Sequence, residues 1–275
     1  MKLYFIIATI EGREKLLTKL LDSIKSTFTI NKYEIVVVRQ YSAKKLSLYH
    51  QNCIVLNIKN YGASKARNIG LRKIQFKSKS KDYICFPDDD CYFDINFQEI
   101  FLRNMNKPID LIFGDIRDPN DNFRMGAPIL SKTNLKINFI SINCPSFFIK
   151  YKLIKKLFFN EDYGPGAPLH AVEETEFLYR VSRNNKNIVS LYDPRLKIFH
   201  PYKLIEGKKL RDYSYAQGAL FRTIFNPISI QFWAYFSVII RPFFGYFKSI
   251  LKSKQRNFYK NRSIAIAKGF LGRGK

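Results

Sequence analysis

A doubly wound α/β sheet, mostly parallel, is the fold that roughly the first hundred residues predict. Three observations carry this. Apolar, β-branched runs alternate along the chain with stretches of helical periodicity, the pattern of βαβ units. The runs are apolar almost throughout, as strands covered on both faces are. The fourth run ends in Phe86-Pro87-Asp88-Asp89-Asp90-Cys91, three carboxylates delivered to the edge of the sheet where open α/β folds bind ligands.

The elements follow in order. Leu3 to Ala8 is the first strand. From Glu14 to Ser26, Leu16, Leu17, Leu20, Leu21 and Ile24 fall at helical spacing, with Glu14 placed to complement the helix dipole. Tyr33–Val38 is a second strand and Cys53–Leu56 a third. Gly62 leads into a helix reaching Ile74, and Tyr83–Phe86 is the fourth strand. Farther on, Leu111–Gly114 and Ser146–Ile149 read as strands. Asn160–Pro168 is a loop punctuated by Gly and Pro. Glu173–Ser182 is a helix carrying Phe177, Leu178 and Val181. Ile188–Tyr192 and Leu196–Phe199 read as two short strands before His200-Pro201. Phe225–Leu251 is rich in Phe, Tyr and Ile and holds Trp233; basic and apolar residues then alternate to the end.

Composition narrows the function classes. The chain has 275 residues, 46% hydrophobic and 25% charged, which is globular and not disordered. A formal charge of +25 attracts polyanions: nucleic acid, anionic lipid or phosphorylated substrates. No Asp or Glu follows Asp212, while Arg and Lys continue to Lys275. A nucleic-acid-binding protein is the competing class, but the basic residues are spread along the chain and no zinc-finger or RNA-recognition signature occurs. Nucleic acid is therefore not an expected partner. Cys53, Cys85, Cys91 and Cys144 lack metal-type spacing and read as reduced thiols of a cytosolic protein. The first apolar run is too short for a signal peptide. The longest later one, Ile228–Ile240, is interrupted by Gln231 and stopped by Arg241-Pro242, short of a membrane span.

Four constellations are able to carry chemistry. Asp88 and Asp90 suit a hard divalent ion, although acidic turns also occur without one. Gly62-Ala63-Ser64-Lys65-Ala66-Arg67-Asn68 opens a helix whose N-terminus attracts anions, with Lys65 and Arg67 adding charge; the same residues also suit a solvated helix face. Glu173 and Glu174 follow Gly164-Pro165-Gly166, either as first-turn carboxylates of a helix or as a general base on a glycine-hinged loop. His200, at a strand end, becomes a candidate metal ligand in the company of the aspartates.

In chain order these pieces resemble the family 2 glycosyltransferases of the GT-A fold, closest to small bacterial enzymes of capsule, lipopolysaccharide or exopolysaccharide synthesis. The matching segments are Ile7-Ala8-Thr9 with Gly12-Arg13, Leu20 to Ile24, Val36 to Ser42, Gly62 to Leu71, Phe86 to Cys91, Glu173 to Arg180, and Asp193-Pro194 before His200-Pro201. The resemblance implies a GT-A catalytic domain at 1–210, with a nucleotide-sugar half at about 1–115 and an acceptor half at about 116–210. A helical, aromatic and basic extension follows at 211–275. It implies inverting transfer from a nucleotide sugar, UDP foremost, to a glycan or lipid-linked acceptor, with Mn²⁺ or Mg²⁺ as cofactor. Asp88, Asp90 and His200 would hold the metal. Thr9, Arg13, Arg39, Lys65, Arg67, Asn68, Asp88 and Asp89 would meet the nucleotide sugar. Glu174 falls on the catalytic base, with Glu173 as fallback. Arg39 stands where the family usually has an Asp against the nucleotide base, a departure that also fits an inactive scaffold. Residues 225–275 would lie on an anionic membrane, placing a cytoplasmic enzyme at its inner face; a homo-oligomer is compatible with all of this.

Overall fold

The computed structural model describes residues 1–29, 32–40, 52–59, 62–249 and 253–272; Ser42, Leu251 and Lys275 lie outside them. The expected alternation is present. It runs β1 (Leu3–Ile10), α1 (Glu14–Thr27), β2 (Tyr33–Gln40), β3 (Cys53–Ile58), α2 (Ala63–Ile74) and β4 (Tyr83–Cys85). These strands lie in the order β3-β2-β1-β4 and pair in parallel, with Leu3 beside both Tyr33 and Tyr83.

The chain then adds β5 (Tyr92–Phe93), α3 (Phe97–Met105), β6 (Leu111–Arg117), α4 (Leu135–Asn138), β7 (Phe147–Lys150), α5 (Tyr151–Ile154), α6 (Glu173–Asn184) and β8 (Ser190–Phe199). The sheet continues as β4-β7-β6-β8-β5. β7 runs antiparallel to both neighbours, while β8 is parallel to β6. The two short strands expected around Pro194 are one strand. Its register against β6 slips between Phe113↔Tyr192 and Asp115↔Lys197, so Pro194 sits in a bulge and removes no ladder bond.

Successive side chains of β1 enter opposite cores. Leu3, Phe5 and Ile7 pack with α1 and α3, whereas Tyr4 and Ile6 pack with α2, α6 and the C-terminal helices. Those last helices are α7 (Gly207–Ile224), α8 (Ile230–Ile239), α9 (Arg241–Lys248) and α10 (Ser253–Leu271). Phe232, Tyr235, Leu220 and Ile266 join the core of the sheet, so the extension is packed onto the α/β body. Among the described residues no helix is long and apolar enough to cross a membrane.

Candidate active site

The carboxyl ends of β1, β2 and β4 converge on an open cleft of about 390 Å³. Ala8, Thr9 and Ile10 come from β1, Gln40 from β2, and Asp88, Asp89 and Asp90 from the turn after β4. An isolated parallel bridge between Ala8 and Asp88 carries the pairing of β1 and β4 into that turn. α2 contributes Ala63 and Arg67, the start of α6 Glu173 and Glu174, and α7 Tyr213. This is the ligand edge of an open α/β sheet.

The three aspartates have different partners. Asp89 accepts a 2.6 Å hydrogen bond from Thr9 Oγ1 and a bidentate pair from the Arg13 guanidinium at 2.6–2.9 Å. Asp90 meets Arg13 at 2.8 Å, Lys203 Nζ at 2.7 Å and His200 Nε2 at 3.0 Å. Burial works to raise the Asp90 carboxyl, but the hydrogen bonds from His200 and Lys203 win and hold it far below the usual carboxylate range. Asp88 faces Arg67 at 2.9 Å; there burial prevails and its carboxyl titrates above the ordinary value.

Arg67 ties the two sides of the cleft together. It is 4% exposed and reaches Asp88 with one nitrogen and Glu173 Oε1, at 3.0 Å, with the other. Glu173 is thereby neutralised. Glu174 makes no ion pair among the described residues. Burial, reinforced by the neighbouring Glu173 charge, pushes its carboxyl well above the ordinary value. Tyr213, on the same wall, is pushed up to about 12 by burial and by those glutamates.

The segment that presents the glutamates is tightly specified. Gly164 has φ +103°, and a Cβ there would stand 3.0 Å from Glu173 Cδ and 3.1 Å from Ser64 Oγ, so only glycine fits. The loop is stapled to α2 by Ala63 N–H to Pro165 O (2.9 Å) and Ser64 Oγ to Tyr163 O (2.6 Å). Val172, just before α6, is left-handed at φ +62°, a strained conformation for a β-branched residue.

The cleft thus gathers Thr9, Arg13, Arg67, Asp88, Asp89, Asp90, Glu173 and Glu174. Lys65 does not line it. Asn68 points away: its Nδ2 donates to Phe159 O and Glu161 Oε1, and its Oδ1 accepts from Phe159 N–H. Arg39 is buried and donates to Glu14 Oε1 at 2.6 Å, so the next residue, Gln40, lines the cleft and accepts from Gly62 N–H. Asn60 and Tyr61, at the head of the Gly62 motif, lie outside the described residues. Sequence reasoning missed Gln40, Lys203 and Tyr213. Gln40 carried a signal, since it closes the second strand; Lys203 and Tyr213 carried none, because only the tertiary fold brings them here.

Asp90 has the carboxylate oxygens a hard divalent cation takes, but Arg13, Lys203 and His200 engage them here, and the expected third ligand Asp88 turns to Arg67 instead. His200 Nδ1 lies 2.9 Å from Pro201 O and its Nε2 3.0 Å from Asp90, so both ring nitrogens are engaged, and Nε2 would have to lose its proton and its bond to Asp90 before it could ligate. No third His, Cys, Asp or Glu among the described residues completes an all-protein cage, so further ligands would have to come from substrate or water.

The model of the glycosyl transferase family 2 matches residues 4–162, more than half of the chain. The chain belongs to that family and is a glycosyltransferase. Among solved structures it is similar to residues 1–349 of TarS from S. aureus, at 18% identity and TM-score 0.62, covering 98% of this chain and 81% of that one. It is also similar to the same TarS fragment in complex with UDP-GlcNAc, at 16% identity and TM-score 0.60, covering 99% and 93%. These likenesses establish the GT-A fold. No curated protein matches the chain.

Proposed function

We propose that the chain is an inverting glycosyltransferase that moves a sugar from a nucleoside-diphosphate donor, UDP foremost, to a hydroxyl of a cell-surface glycan or lipid-linked oligosaccharide. One observation carries this: Glu174, with no ion pair among the described residues and raised in pKa, shares a cleft with the Asp88–Asp90 edge. A half-buried carboxylate whose pKa is raised above its ordinary value suits a general base. Glu174 takes the proton of the acceptor hydroxyl as that oxygen attacks the anomeric carbon. The bond from that carbon to the diphosphate oxygen breaks on the opposite face, which inverts the centre. Arg13 and Arg67, which line the cleft and share their charge with Asp89, Asp90, Asp88 and Glu173, favour the negative charge that develops on the departing nucleoside diphosphate. Asp90 and His200 would hold Mn²⁺ or Mg²⁺, which when bound compensates the same charge. TarS binding UDP-GlcNAc supports a nucleotide-sugar donor here.

Exposed aromatic rings in the extension support attachment to a membrane at its cytoplasmic side. Trp233, Phe244 and Phe247 are all more than half exposed, beside Arg241 and Lys248.

The test is the thermal midpoint against a series of nucleoside diphosphates, each with and without Mn²⁺. A rise with UDP that needs the metal is expected, because a ligand of the folded state stabilises it. Glu174→Gln should retain that rise and lose transfer. A folded protein that responds to no nucleotide overturns the proposal.

A further inference from the structure

His170 lines the donor cleft and also a second cavity, of about 520 Å³, between α7 and α10. Lys208 and Arg211, one turn apart on α7, and Lys268, from α10, face into it with Asn261. Asp212 is its one carboxylate among the described residues. Lys208, Arg211 and Lys268 form no ion pair among the described residues, in contrast to Arg13, Arg67, Arg180 and Arg195, which each hold a carboxylate. Three cations against one acid, open to solvent and bordering a cleft for glycosyl transfer, select an anion.

The walls are held rigidly. A Cβ on Gly218 of α7 would stand 2.0 Å from Ile266 O, and one on Gly269 of α10 would stand 2.1 Å from Tyr215 O. The two helices therefore touch backbone to backbone and run antiparallel. The pair fixes the backbone from which Lys208, Arg211 and Lys268 extend, while their exposed side chains keep rotamer freedom until a ligand orders them.

We infer that this cavity is the acceptor subsite and takes an acceptor bearing a phosphate. That phosphate is either the diphosphate joining a glycan to a lipid carrier or a phosphodiester within the glycan. The inference rests on the glycosyl transfer proposed above. His170 marks the border where the acceptor passes from the phosphate groove to the base at Glu174.

The experiment compares the full-length protein with Lys208→Glu/Arg211→Glu and, separately, with Lys268→Glu. Three acceptors are offered: a disaccharide on a short-chain prenyl diphosphate, the same disaccharide as a soluble phosphodiester, and the neutral disaccharide. The expected result is a rise in KM of roughly tenfold or more for a phosphate-bearing acceptor, from charge reversal at a phosphate contact. The neutral disaccharide should keep its KM, and UDP with Mn²⁺ should still raise Tm. Loss confined to the prenyl diphosphate assigns the lipid linkage; loss confined to the phosphodiester assigns the chain. Unchanged KM for both phosphate-bearing acceptors, or equal loss for the neutral one, overturns the inference. Absence of the UDP-induced rise in the unaltered protein overturns instead the glycosyl-transfer reading beneath it. Two variants on different helices guard against misfolding in either.

Discussion

Arg67 is the residue on which the site depends most. It is buried, and its two nitrogens neutralise Asp88 and Glu173 from opposite sides. Arg67→Met would leave both carboxylates without their cation, and removal of one partner from a buried ion pair costs about 3–5 kcal/mol. Urea unfolding should show that loss; a fall below 1 kcal/mol would mean that water, and not Arg67, stabilises the two acids. Glu174 allows a prediction of sign. A carboxyl raised in the folded state binds its proton more tightly there than in the unfolded chain. Its contribution to stability is full below the ordinary Glu value of about 4.3 and is lost as pH rises through the raised one. Glu174→Gln should therefore be more stable than the parent at pH above the raised value, and the gap should close as pH falls through it. Transfer by the parent should fall as pH drops through the same range, since a protonated acid accepts no proton. A gap in Tm that is constant with pH would remove Glu174 from that titration. The acidic triplet and the glutamate pair were legible in the sequence because each is a local cluster. The difference between Glu173 and Glu174 was not, since it arises from Arg67 on another element.

Elements explain where the motif around α2 was over-read. Lys65, Arg67 and Asn68 are close in sequence but leave the helix in different directions, and only Arg67 enters the cleft. Asn68 instead holds the Phe159–Glu161 segment with three hydrogen bonds. Asn68→Ala should cost about 1–3 kcal/mol, the penalty of stranding buried polar groups. The rise of Tm with nucleotide should be unaffected, and a vanished rise would return Asn68 to the donor site. Gly164→Ala meets both a left-handed backbone and the Glu173 carboxyl, so it should lower transfer through displacement of α6. The same scale explains what periodicity did not reveal. β8 was split because Pro194 reads as a break, whereas a bulge absorbs it. α7 escaped notice because the first half of its buried face, Ser214, Ala216, Gly218 and Ala219, is small and gives little hydrophobic signal, and only Leu220, Phe221 and Ile224 near its end are large and apolar. The first four are small because α10 lies against them, a fact that no local window contains.

At the scale of the molecule, the aromatic tail divides between interior and surface. Phe232 and Tyr235 are buried in the core, while Trp233 (57% exposed), Phe244 and Phe247 face outward among cations that no later acid offsets. The composition of 211–275 was readable from the sequence; the division was not, because α8 is apolar on nearly every side and gives no preferred face. The division makes the membrane reading testable apart from folding. Phe244→Ser with Phe247→Ser removes exposed rings and should leave Tm within error, since little burial is lost. Phe232→Ala removes a buried ring and should cost about 3–5 kcal/mol. If the outward face inserts at an interface, the double variant should bind anionic phosphatidylglycerol vesicles several-fold more weakly than the parent, in line with the apolar area withdrawn from the acyl boundary. Residual binding should then be electrostatic and fall with salt, whereas the parent should retain an apolar component that salt does not remove. Equal partitioning of parent and double variant at every ionic strength would reduce the interaction to the +25 charge alone and leave the exposed rings with no part in it.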